Sequence, residues 1–437
     1  MKKVLLSLLV ATSLTALFGS CSNKVTGTGT KEISVGVIPF IGTISYGDSV
    51  RFYAIVYNTG NRAVTWYVNN DSAGNDSLGH IIAINDTSAR YEAPPIFAPV
   101  TFDSVVIKAV SQQDTTKSGK ATAIILSASI IFVDSALGDD QTGKGSIFHP
   151  YRTITKALSN GIVKDGDTVS IKPGTYGEGE VFPLRVPHEV TVRGYGQDFT
   201  RIAAPTGTDY GSAAFSISAN YATIKNLAII GQNQSGVGIY TSGSPTDTIT
   251  YITIEDCLIQ GCYIGVAVAS ISENLEIRDS RFHDCLYGVL AAPSGFAKLV
   301  RSQISNCDSA GIYVDSASVQ LTDNLISDCY NAVNVAAYGS ATCFSDTFEN
   351  SITAGVMIES NGYANLGQDT ISGLQGNNVF RDFTGGSRCI YNGSANTIYA
   401  VYNTWPVADS ATIDTLYIYD NDENAASGAV LFTPVHP

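Results

Sequence analysis

The sequence predicts an all-β protein in which a right-handed, single-stranded parallel β-helix follows a β-sandwich. Three observations predict it. First, apolar residues recur in two columns that keep step along the second half of the chain. Ile259, Phe282, Ile304, Ile326, Phe348 and Ile371 are spaced by 23, 22, 22, 22 and 23 residues. Five residues before each stands Ile254, Ile277, Leu299, Leu321, Cys343 and Leu366, with the same spacings, and Ile224 and Ile229 extend both columns upstream by a longer coil of 30. A sustained period of this length marks a solenoid, whose repeats bury their faces only against their neighbours. Short apolar pairs, frequent Gly and few helix-forming runs make the repeat β, and a coil of this length fits a three-sided right-handed helix. Second, the pattern upstream of Ile130 consists of short alternating runs divided by turns, as in a sandwich. Third, only 15% of residues are charged and 44% are hydrophobic, with 41 Gly and 23 Tyr, which suits turn-rich β structure rather than disorder or solvated helices.

At the N-terminus, Lys2 and Lys3 precede a largely apolar run from Val4 to Leu17, then Phe18-Gly19-Ser20-Cys21. The run is short for a membrane span and reads as a cleaved secretion signal over 1–20. A Cys after two small residues resembles the lipobox of bacterial lipoproteins, although Phe18 stands where Leu is commoner. The resemblance implies that Cys21 is acylated and begins the mature chain. The expected partner is therefore a bacterial membrane, reached through a lipid anchor, and the expected location is the cell envelope, at the outer membrane or cell surface. Small polar residues complete a flexible tether over 21–31.

The sandwich is expected over 32–129. Its alternating runs include Val50-Phe52-Ala54-Val56, Val64-Trp66-Val68, Val105-Ile107-Ala109 and Ala121-Ala123-Ile125, with turns such as Asn58-Thr59-Gly60-Asn61 and Pro94-Pro95 between them. VTWYVNN, the stretch ending in YEAPP, and VVIKAVSQQDTTKSGKATAIIL resemble bacterial immunoglobulin-like domains. That resemblance implies that Trp66 fills the inter-sheet core. No Cys pair is present to staple it, and the expected role is spacer or adhesion module.

The β-helix is expected over 130–437. The segment from Ile131 to Val186 resembles the leading segment of pectin-lyase-like β-helix proteins, in which a strand, a Gly/Asp loop and a short helix precede the first coil. Pro150-Tyr151-Arg152-Thr153 opens that helix, and Ile154, Ala157 and Leu158 give it one apolar face. It would cover the open bottom of the solenoid, where bare strand edges invite aggregation. The tail resembles the closing coils of such proteins, with Trp405 over the C-terminal end. The resemblance is specific for fold, since this architecture carries lyases, hydrolases, adhesins and proteins without known chemistry.

Few residues suggest chemistry. A net charge of −14 repels phosphate backbones, which excludes nucleic acid, and it repels acidic glycans unless a divalent cation intervenes. Cys262, Cys285, Cys307 and Cys329, spaced 23, 22 and 22, form a one-per-coil ladder. Adjacent rungs lie about 4.8 Å apart, a poor distance for disulfides, so the ladder reads as interior packing. Gly138 to Gly145 lacks the Ser/Thr of a phosphate-binding loop, and Asp420-Asp422-Asn424 lacks the later positions of a calcium loop; both read as turns.

The clustered aspartates, Gly-His-Gly and Arg-x-Lys of polygalacturonase-like hydrolases are absent, and His283 is the one histidine within the regular coils. The position three before the Ile/Phe column reads Asn226, Asp256, Asp279, Arg301, Asp323, Ser345 and Gln368. Carboxylates grouped with an Arg resemble the equipment of calcium-dependent pectate lyases. The resemblance implies calcium on Asp256, Asp279 and Asp323, with Arg301 and Asp279 acting on the substrate. The same residues also make an ordinary charge ladder at a turn. Tyr263, Tyr287, Tyr313 and Tyr330 offer either a sugar-stacking stripe or corner packing. Three functions remain open: a binder of extracellular polysaccharide or of a surface protein, a calcium-dependent polysaccharide lyase or glycoside hydrolase, and a structural stalk or adhesin.

Overall fold

The computed structural model describes residues 31–433 apart from 46–48, 95–103, 127–129, 243–248, 270–271 and 369–374. The expected signal peptide, Cys21 and all but the last residue of the tether lie outside the described residues, as do Pro95 and Ile371.

Two five-stranded sheets form first. One runs Ser34–Ile38, Ser49–Tyr57, Ser88–Glu92, Gly79–Asn85, Gly74–Asn75, and the other Ile41–Ser45, Ser118–Leu126, Ser104–Ser111, Val64–Val68, Asp71–Ser72. All pairings are antiparallel except that of Ile41–Ser45 with Ser118–Leu126. The period-2 runs put Phe52, Ala54 and Val56 from one sheet and Trp66, Val68, Ile107 and Ala123 from the other into one core.

Ile130–Val133 pairs in parallel with Thr168–Ile171 and opens the solenoid. The helix is a single turn, Ile154–Ala157, whose first turn is closed by Thr153 accepting from the Lys156 amide. The Glu180 carboxylate accepts from the amides of Ile154 and Thr155 at 2.8 Å each. Ile154 and Ala157 are buried against the first coils. At the far end Trp405 stacks on Phe380 at 5.0 Å, continuing the Phe348–Phe380 stack at 5.1 Å.

Every pairing in the solenoid's two large sheets is parallel. A 19-stranded sheet supplies two faces of the coil and a ten-stranded sheet the third. The registers run Ile254–Ile277–Leu299–Leu321–Cys343 and Ile259–Phe282–Ile304–Ile326–Phe348, which are the columns read from spacing. One assignment fails: Phe348 pairs with Phe380, so Ile371 is not its successor. The coil that follows Phe348 is longer than its predecessors, so the 23-residue spacing does not reach the column's next member.

The coil turns by one device used twice. Asn226, Asp256, Asp279, Arg301, Asp323 and Ser345 all sit in the left-handed region, with φ of 57°, 50°, 51°, 48°, 60° and 59°. The next member is Asn377 at 51°, not Gln368, for the same reason that Phe380 replaces Ile371. Such a residue bends the chain so that the following side chain points inward. The inward residues include Ser280, Ser302, Asn324, Asp346 and Asn378, and each accepts from the amide of the rung before it. This buried polar ladder satisfies the backbone amides that the turn releases. At the second corner Gly261, Asp284, Asn306 and Asp328 are left-handed, and each turns in a cysteine: Cys262, Cys285, Cys307 and Cys329.

Candidate functional site

The three outer faces differ in chemistry. On the face of Thr253–Gln260, Glu276–Arg278 and Phe296–Val300, charges pair along the stack. Glu255 meets Lys225 at 4.0 Å and Arg278 at 3.3 Å, and Glu276 meets Arg278 at 3.3 Å and Lys298 at 3.6 Å. These pairs satisfy one another and contribute little to stability at the surface.

The second face carries the predicted acid–arginine stack. Arg301 donates to both Asp279 oxygens at 2.8 Å, a bidentate pair that holds the Asp279 carboxyl below its usual range and the Arg301 guanidinium more firmly protonated. Asp256 accepts from Gln197 at 2.9 Å, while Gln197 in turn accepts from Arg281. Asp256, Asp279 and Asp323 do not bring their oxygens together. Side chains at a left-handed corner project in parallel, one coil apart, and Arg301 stands between two of them. Among the described residues, ligand atoms converge instead at Asp165, His188 and Glu189, near the first coils.

Beside that stack lies a polar groove of about 710 Å³, lined by Arg201, Gln260, Asp284, Asn306 and Asp308 among others. At its rim Ser305 Oγ lies 3.0 Å from His283 Nδ1, and His283 Nε2 lies 3.1 Å from Asp284. The order Ser–His–Asp invites a nucleophilic reading. However, the amides of Asp284 and Asn306 are spent on the carbonyls of Ser305 and Ser327 in the coil-to-coil ladder. Those amides are therefore not available to hold an oxyanion.

On the third face, the outer surface of the ten-stranded sheet, Arg185 and Arg388 stand outward near the two ends, and the strands between them carry only uncharged side chains. Tyr240, Ala267, Leu290, Tyr313, Asn334 and Met357 form one outward row, and Val237, Ile264, Tyr287, Ala310, Asn331 and Ala354 the other. Tyr240, Tyr263, Tyr287 and Leu290 lie over a small buried cluster of Ala213, Val237, Ile264 and Ala267. Rings follow one another along the axis. Tyr210 stacks on Tyr240 at 4.4 Å, Tyr287 meets Tyr263 edge-on at 6.2 Å, and Tyr313 meets Tyr287 at 5.5 Å. Burial pushes the Tyr313 phenol up, with Glu359 and Asp315 adding to the effect. Tyr263, Tyr287 and Tyr313 thus share one surface, whereas Tyr330 stands exposed at the second corner. Sequence reasoning missed Tyr210 and Tyr240, because longer upstream coils break the 22-residue spacing that would have aligned them.

Seven cysteines are described, all buried and free: the four of the ladder, and Cys257, Cys343 and Cys389. Each ladder thiol lies near the carbonyl two residues before it, at 3.6 Å for Cys262 and 3.2 Å for Cys329. Burial pushes the Cys257 thiol up to about 12, which keeps it inert at neutral pH.

Comparison with known proteins agrees with this fold. The family model described as "right handed beta helix region" matches residues 213–371. Among solved structures, an alginate lyase from Paenibacillus sp. str. FPU-7 is similar at 11% identity with a TM-score of 0.41, covering 65% of this chain and 96% of that one. No curated protein matches the chain by sequence.

Proposed function

We propose that this chain is a lipid-anchored envelope protein whose ten-stranded β-helix face binds polysaccharide without catalysing its cleavage. In this reading Cys21 carries the anchor, residues 32–129 form an immunoglobulin-like spacer, and residues 130–437 present the binding surface. The row of tyrosines from Tyr210 to Tyr313 carries the proposal. Aromatic rings with an apolar face and a polar tip suit the C–H faces and hydroxyls of sugars, and here they follow the long axis a polymer would follow.

A lyase acting through Arg301 would first have to break its bidentate pair with Asp279, and Arg is in any case a poor base. The test is a polysaccharide panel scored with full-length protein for both retention and unsaturated-product absorbance. Retention without product is expected, with Tyr287→Ala and Tyr313→Ala each weakening it about 3- to 10-fold. Product formation that survives both substitutions and falls with Asp279→Ala would replace this reading with the calcium-dependent lyase. Cys21→Ser is expected to release the protein from the membrane fraction.

A further inference from the structure

We infer that the ligand of the tyrosine face is an uncharged polysaccharide; this rests on the binding role proposed above and narrows it. Seven consecutive strands, from Ala213–Ile217 to Ala354–Ile358, each place two side chains outward, and none of these is charged. Eight of those fourteen side chains are buried, and the six that reach solvent are Tyr240, Tyr287, Leu290, Tyr313, Asn334 and Met357, where a surface with about 25–35% charged residues would carry about two charges. The same coils do carry charges on their other two faces, at Glu255, Arg278, Lys298 and Arg301 among others. Charge is therefore sorted away from this surface rather than scarce in these coils.

An acidic glycan laid here would lose water from its carboxylates or sulfates and meet cations only at the two ends of the face, at Arg185 beside Ser216 and at Arg388 beside Ala354, the latter already donating to the carbonyls of Thr415 and Ile418. The charges nearest Tyr313 are the carboxylates of Glu359 and Asp315, which repel it further. A polycationic glycan would meet those two acids at one end only. A neutral polymer loses no ion hydration, and the face supplies what it needs. Tyrosine rings take its C–H surfaces, and their phenol hydroxyls can bond its hydroxyl groups.

The test uses full-length protein with neutral glucan, mannan and xylan, with alginate and polygalacturonate, and with chitosan, each at low and high salt. Retention on at least one neutral polymer is expected, weakened about 3- to 10-fold by Tyr287→Ala and unchanged by salt, because no ion pair is involved. Leu290→Lys places a cation in the row beside Tyr313 and is expected to add salt-sensitive retention on alginate or polygalacturonate. Tyrosine-dependent retention of unmodified protein on acidic polymers alone would overturn this inference while leaving the binding role intact. Retention on none of the polymers, with Leu290→Lys also silent, would overturn both.

Discussion

Asp346 is the buried acid of the polar ladder, and replacing it with Asn should stabilise the protein at neutral and alkaline pH. Its Oδ1 accepts from the amide and the side chain of Asn324, both at 2.8 Å, and Oδ2 has no partner. Burial is the main cause that raises its pKa from 3.8 to about 7; the Asn324 donors oppose the rise, and Asp323 adds a little to it. The folded state therefore holds a proton that the unfolded chain has released. The stabilisation is complete below about pH 4 and is lost as pH rises through about 7. The gap between the two values, at about 1.4 kcal/mol per pH unit, corresponds to about 4 kcal/mol. Asn at this position carries no charge and keeps the Oδ1 acceptor. Its Nδ2 can donate to the Leu321 carbonyl, as Asn324 Nδ2 donates to Leu299 at 3.1 Å and Asn378 Nδ2 to Cys343 at 2.9 Å. Solenoids unfold in parts, so the suitable assay is native-state hydrogen exchange over strands Ser318–Thr322 and Ser340–Phe344. Asp346→Asn should raise the opening free energy there by up to about 4 kcal/mol at pH 8, with the difference vanishing near pH 4. Equal protection at both pH values, or weaker protection of the variant at pH 8, would refute the reasoning.

Leu321→Asp buries a carboxylate in the middle of the Leu299–Leu321–Cys343 column and should unfold several neighbouring coils together, seen as joint loss of exchange protection. Loss confined to one coil would argue against nearest-neighbour coupling. Cys262, Cys285, Cys307 and Cys329 should resist thiol reagents in native protein and react after denaturation without reductant. A need for reductant would mean that the ladder is oxidised. Calcium should leave the melting temperature unchanged, since Arg301 already neutralises Asp279; a rise abolished by Asp279→Ala would restore the metal site.

The repeat was legible because each coil contributes an inward residue at a fixed spacing, and a parallel register stacks equal positions. That made the Ile277–Leu299–Leu321 column, the cysteine ladder and the Asp279–Arg301 adjacency readable before any coordinates. The same arithmetic failed at Ile371, where a longer coil pairs Phe380 with Phe348 instead. The polar ladder was invisible because its rungs change from Ser280 to Asn324 to Asp346. What they share is a left-handed predecessor, not a residue type. For the candidate site, spacing showed which acids stack, yet could not show that Arg301 grips Asp279 and leaves Asp256 to Gln197. Tyr263, Tyr287 and Tyr313 were visible as tyrosines. Their common face emerged only once alternation was fixed strand by strand.

The most direct test is oxidative footprinting of tyrosines, read by mass spectrometry, on full-length protein with and without the polysaccharide it retains. Protection is predicted at Tyr240, Tyr263, Tyr287 and Tyr313, while the exposed Tyr53, Tyr57 and Tyr338 on other surfaces stay unchanged. Bound polysaccharide with no protection of the tyrosine row, or with protection only at Tyr53 and Tyr57 on the sandwich, would contradict it.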